Sequence, residues 1–212
     1  MPGVEPEASP GMPAMLRALG RPAVLIGFWV FTLPALFSGV VEVLVPLRLH
    51  DLGVAGATIG VVFLVSAAVE AIVSPIAGRV SDRAGRMAPI RFGLTGAVVM
   101  ALVLPLPNTA VLVGLCVTLT FVALASFWAP GMAMLSDAAE GVGLDQVLAF
   151  AISNLAWALG HLFGAGVGGA VADATSDTVP YTALAVLCGA TLVGLTLNRR
   201  RQETPREEAL SA

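Results

Sequence analysis

Between Arg91 and Asp137 the chain carries no charged side chain at all. About a quarter of the residues of an ordinary soluble domain are charged. Here 12% are charged and 57% hydrophobic, with a mean hydropathy of +0.90 over 212 residues. A single soluble core of this size could not hide so much apolar surface, so the solvent for most of the chain is lipid. The fold class that follows is an all-α membrane protein.

A helix that crosses the hydrocarbon needs about 20 mostly apolar residues. The sequence predicts six such spans, at roughly 23–48, 57–79, 89–105, 109–136, 145–172 and 178–198. The long uncharged run is divided at Leu104-Pro105-Leu106-Pro107-Asn108, because paired prolines and an Asn stop a helix. Residues 1–20, rich in Pro, Gly and Ala, are expected to form a disordered N-terminal segment, 21–199 a six-helix unit, and 200–212 a C-terminal tail. The apolar run from Pro22 to Val41 exceeds the roughly 7–15 residues of a signal-peptide core, so it reads as a retained first span.

Orientation follows from the arginines, which supply all eleven basic residues. With six spans, one face holds Arg17, Arg21, Arg79, Arg83, Arg86, Arg91, Arg199, Arg200, Arg201 and Arg206, and only Arg48 falls on the other. The positive-inside rule places the rich face, with both termini, in the cytoplasm of a cell whose plasma membrane holds the protein. The basic residues are scattered and lack interleaved aromatics, so no nucleic-acid partner is expected. No nucleophile–base pair, phosphate-binding loop or metal-ligand cluster is evident. His50 and His161 are too few for a metal site, Cys116 and Cys188 both fall in predicted spans, and neither a cofactor nor an enzymatic activity is expected.

Charge is concentrated in Gly78-Arg79-Val80-Ser81-Asp82-Arg83-Ala84-Gly85-Arg86-Met87, read as the loop between the second and third spans. Gly78 would let two helices approach closely, and Gly85 would permit a tight reversal. Asp82 could set its charge against the positive N-terminal end of a neighbouring helix. Arg83 and Arg86 could pair with Asp137 and Glu140 at the end of span four. A plainer reading is a basic loop that only fixes topology. The spacing G-x-x-x-D-R-x-G-R resembles the loop between the second and third helices of major facilitator superfamily transporters, with Met87 where the family carries a further basic residue. The resemblance implies that Gly78, Asp82, Arg83, Gly85 and Arg86 are gating residues that latch the two halves of a transporter on the cytoplasmic side.

A second motif, Gly160-His161-Leu162-Phe163-Gly164-Ala165-Gly166-Val167-Gly168-Gly169, lies in span five. Glycines at 160, 164 and 168 share one helix face and permit close helix packing. The run also resembles the family's antiporter motif, G-x-x-x-G-P-x-x-G-G, with Ala165 in place of proline. That resemblance implies export in exchange for protons, while packing alone remains the alternative.

Glu42 and Glu70 are the acidic residues inside the spans. A carboxylate there costs at least a few kcal/mol by insertion scales, so such groups usually face a cavity. A carboxylate held away from water resists ionisation and can load and release protons near neutral pH. Ser66, Glu70 and Ser74 form a polar stripe on one face. The bland alternative is a clasp to another helix or to Arg48. Asn154, Trp157 and His161 share a face of span five and could contact substrate. Pro46, Pro75 and Pro130 are expected inside helices, as kinks or tolerated breaks.

The stretch Phe37 to Gly53 has a counterpart in Phe127 to Gly143, ninety positions later. With three spans between them, the two triplets would be inverted in the membrane, as in the six-helix halves of this superfamily. The resemblance covers about residues 20–200, whereas a family transporter normally has twelve spans. The reading is a secondary transporter, proton-coupled, exporting small amphipathic molecules by alternating access as a homodimer or heterodimer of six-helix halves. In a homodimer, Asp82 would face the start of the partner's span five, where Asp145 could cap its own helix and repel it. The alternatives are a non-transporting scaffold or regulatory subunit, or a truncated half of a twelve-helix protein.

Overall fold

A computed structural model describes residues 17–144 and 146–211. The expected disorder of residues 1–16 and the capping role of Asp145 lie outside the described residues. The main elements in chain order are α1 (Pro22–Asp51), α2 (Gly56–Ala84), α3 (Met87–Val103), α4 (Ala110–Glu140), α5 (Gln146–Ala174) and α6 (Thr178–Ser211). Five carry segments long and apolar enough to cross a bilayer. The remaining one, α3, has 17 residues and rises about 25 Å, the lower limit for a span.

Each helix corresponds to one predicted apolar segment, and the termini follow local chemistry. Pro22 opens α1, where its missing N–H is no loss. The Pro105–Asn108 stretch separates α3 from α4, and Thr109 precedes α4 with an extended backbone. Polar segments beyond the apolar runs also stay helical. Gly78 to Ala84 is the last part of α2, not a loop, and the chain reverses at Gly85 alone, where φ is 82°. No proline interrupts Gly78 to Ala84, so main-chain hydrogen bonding continues past the apolar run until a residue that tolerates positive φ. At the other end of the sequence, α6 runs past Asn198 to Ser211, through most of the expected tail.

The predicted internal repeat has a backbone counterpart. At the end of α1 the Gly53 amide donates to the His50 carbonyl (2.8 Å), and the Val54 amide to that of Leu49 (3.0 Å). At the end of α4 the Gly143 amide donates to Glu140 (2.9 Å), and the Leu144 amide to Ala139 (3.1 Å). This is the same Schellman cap at the same offset. Both glycines have positive φ, 77° and 81°. Gly53→Ala and Gly143→Ala should each lower stability by about 1–2 kcal/mol, the cost of a left-handed conformation for an L residue. Thermal unfolding in detergent checks this; a loss at only one site would break the equivalence.

Packing follows the repeat as well. α1 lies chiefly against α5 and α4, α2 against α4, and α3 against α4 and α6. Exchanging the first three helices with the last three turns the α1–α5 pair into the α4–α2 pair. The main core gathers Phe37, Leu94, Phe127 and Leu184, all at most 1% exposed. A second cluster, with Val24, Phe31, Leu135 and Ile152, sits nearer the arginine-rich end. Most of α1's apolar segment is buried and almost none of α2's. The side chains of α2 that are buried are Ser66, Ala77 and Ser81, and Leu64, Ile72 and Ile76 face outward.

Candidate functional site

The glycine face of α5 meets α1 at backbone contact distance. A Cβ at Gly160 would fall 2.5 Å from the Thr32 carbonyl oxygen, one at Gly168 2.7 Å from Val40, and one at Gly164 directly against the carbonyl oxygen of Leu36. Gly169 is looser, 3.3 Å from Val43. The approach is mutual: a Cβ at Gly39 of α1 would lie 2.5 Å from the His161 carbonyl oxygen. The motif therefore welds α1 to α5.

That contact sets His161 opposite Glu42, with Nε2 at 3.5 Å from Oε2. The other ring nitrogen, Nδ1, is buried and has no hydrogen-bond partner among the described residues. The imidazole stacks on Trp157, centroids 5.5 Å apart and planes 28° from parallel. Trp157 meets Trp128 of α4 edge-on at 4.1 Å, and Trp128 meets Phe31 of α1 at 5.2 Å. Phe31, Trp128, Met132, Ser153, Asn154 and Trp157 line a cavity of about 280 Å³. The exposed amide of Asn154 donates back to the Phe150 carbonyl. An aromatic ladder thus leads from a cavity to an intramembrane carboxylate. Glu70 lies half-buried at the middle of α2.

Sequence reasoning named Asn154, Trp157 and His161, and the structure brings all three to this region. It missed Trp128 and Phe31. The available signal was the Phe127-Trp128 pair inside an otherwise featureless uncharged span. The stripe on α2 is divided: buried Ser66 turns to α4, 3.0 Å from the Thr118 hydroxyl, while Glu70 and Ser74 are half-buried. Arg48 clasps neither carboxylate; its Nη2 donates to Asn108 Oδ1 at 2.8 Å, in the turn before α4. A second cavity, of about 240 Å³ between α1, α5 and α6, is walled by Leu36, Val40, Phe163 and Leu187 and offers no charged group.

At the arginine-rich end, Arg86 forms an ion pair with Asp137 and also donates to the Ala133 carbonyl (3.1 Å). Arg83, Asp82 and Glu140 are exposed and make no ion pair among the described residues. Gly78 does not serve close packing within this chain, because a Cβ there would meet nothing within 4 Å. The reason is its place on α2, the least covered of the long helices. Arg86→Gln should cost about 1 kcal/mol or less, since Asp137 is exposed and the Arg86 side chain is itself 37% open to solvent. A melting experiment showing a much larger loss would give the latch a structural role.

Six helices of this composition, with Glu42 and Glu70 inside apolar segments and a charged turn between α2 and α3, are those of a multi-pass membrane protein. The family model of the Major Facilitator Superfamily matches residues 9–212, and the chain belongs to that superfamily. Its members are membrane transporters, not enzymes. No curated protein matches the chain. Among the described residues no group of His, Cys, Asp and Glu side chains is placed to hold a metal ion.

Proposed function

We propose that this protein is a proton-coupled secondary transporter that exports small amphipathic molecules across the plasma membrane, with both termini cytoplasmic. The observation that carries this reading is the contact of Glu42 with His161, whose ring stacks on a wall of the aromatic cavity, with Glu70 at the middle of α2. Carboxylates are retained in lipid at a cost, and proton movement is a use that repays it. Glu70 is the main proton carrier and Glu42 assists. Asn154, Trp157 and His161 contact the substrate.

The chain works as one of two six-helix halves. The supporting observation is the outward face of α2, with Gly78 open to a close neighbour and Asp82 and Arg83 unpaired among the described residues. A second half, identical or homologous, covers that face, and Asp82 meets a helix N-terminus there. Gly78, Asp82, Arg83, Gly85 and Arg86, with Asp137 and Glu140, then form the cytoplasmic gate.

The test is transport in proteoliposomes. A pH gradient should drive movement of amphipathic dyes, ethidium among them, and a protonophore should stop it. If no dye in a broad panel moves faster than in protein-free vesicles, the reading fails.

A further inference from the structure

We propose that His161 couples occupancy of the aromatic cavity to the proton on Glu42, and that the occupant is a flat aromatic molecule stacked on Trp128 and Trp157. The proposal rests on the reading of this cavity as the substrate site, and deepens it.

Three observations carry it. First, the backbone of His161 cannot move independently of α1. Its carbonyl oxygen lies where a side chain at Gly39 would be, and the flanking Gly160 and Gly164 are pressed against Thr32 and Leu36. Any response at this position is therefore a response of the ring. Second, no strong hydrogen bond pins the ring: Nδ1 has no hydrogen-bond partner among the described residues, and Nε2 faces Glu42 at 3.5 Å. Third, the ring is in a continuous stack whose far members, Trp128 and Phe31, are walls of the cavity. Close-packed interiors transmit displacement from ring to ring. A ligand that inserts against Trp128 and Trp157 tilts the imidazole and changes its hold on Glu42.

Few charged groups surround the pair, and both side chains are partly open, His161 34% and Glu42 43% exposed. Of the elements around His161, α1 contributes Glu42, and α2 carries Glu70 at its middle. The facing part of α4 belongs to the uncharged run, with Asp137 and Glu140 at its far end, and α6 has no charged residue between Thr178 and Asn198. α5 has none between Gln146 and Ala172. The two side chains hold between none and two protons. The contact is an ion pair when the imidazole is protonated and the carboxylate is not. Aromatic walls favour a ligand with a flat π-surface, and the lining contributes no cation to repel a positively charged one.

The test uses the full chain in mild detergent. A protonated imidazole stacked on an indole quenches its fluorescence, so tryptophan emission followed from about pH 5 to 8, the range of an imidazole, should show a reversible quenching step. The step should survive Trp29→Phe and vanish in Trp157→Phe and in His161→Gln. Glu42→Gln should displace its midpoint, because the contact facing Nε2 is altered. Saturating ethidium should displace the midpoint in the unmodified protein, because linkage is reciprocal. Ethidium anisotropy should give a Kd that changes at least about fivefold across the step and becomes independent of pH in His161→Gln. A step that persists without His161, an ethidium Kd indifferent to pH in the unmodified protein, or no ethidium binding would each overturn the proposal. Absence of gradient-driven flux with the spectral step and its ethidium shift intact would sink the transport reading alone.

Discussion

Gly164→Val is expected to prevent α1 and α5 from packing and to leave the protein without a cooperative melting transition. The Cβ would meet the Leu36 carbonyl oxygen, with the Leu36 carbonyl carbon at 2.9 Å. Both obstacles are backbone, so no rotamer change relieves them. Overpacking a well-filled core costs about 1–3 kcal/mol, occasionally more, when side chains can shift. Here a whole helix would have to move, and the loss should exceed that range. Helix association in lipid depends on such close contacts of small residues, because the apolar surroundings provide no hydrophobic drive between helices. Gly166→Val is the control, since nothing lies within 4 Å of a Cβ at that position. Circular dichroism melts of the two variants decide it: similar transitions would mean that the glycine face is not what joins the helices.

The second large effect concerns the carboxylates. Glu70→Gln should reduce pH-gradient-driven dye transport to the level of empty vesicles, while downhill exchange without a gradient continues. Glutamine keeps the shape and hydrogen-bonding capacity of a protonated glutamate but cannot release the proton. Glu70 makes no ion pair among the described residues, whereas Glu42 has His161 as a partner, so Glu42→Gln should weaken coupling less. Undiminished gradient-driven flux in both variants would remove proton coupling through this pair.

Much of the fold was legible because lipid imposes simple rules. Long uncharged runs predict the helices, Pro105, Pro107 and Asn108 mark the break between α3 and α4, and the offset between Gly53 and Gly143 predicts an inverted repeat whose caps the backbone reproduces. Helix ends were less legible, because α2 continues through Asp82 and Arg83 to Gly85, and charge alone does not stop a helix. The site was legible only in part. Spacing puts Asn154, Trp157 and His161 on one face of α5, but the pairing of His161 with Glu42 needs the knowledge that α5 lies on α1. The glycine spacing marked α5's contact face without naming its partner. Trp128 carries no periodic signal of its own, since everything around it in α4 is apolar. For Gly78 a single chain offers no neighbour for its small size to serve, since a Cβ there meets nothing within 4 Å.

The uncovered α2 face makes assembly the central claim. The most direct measurement is the mass of the transport-competent particle, by native mass spectrometry of the protein from the same mild-detergent preparation used for reconstitution. The expected result is a particle of twice the 21.6 kDa chain that dissociates, and loses gradient-driven flux, when Gly78 is replaced by Leu. A single 21.6 kDa chain that still transports would contradict it.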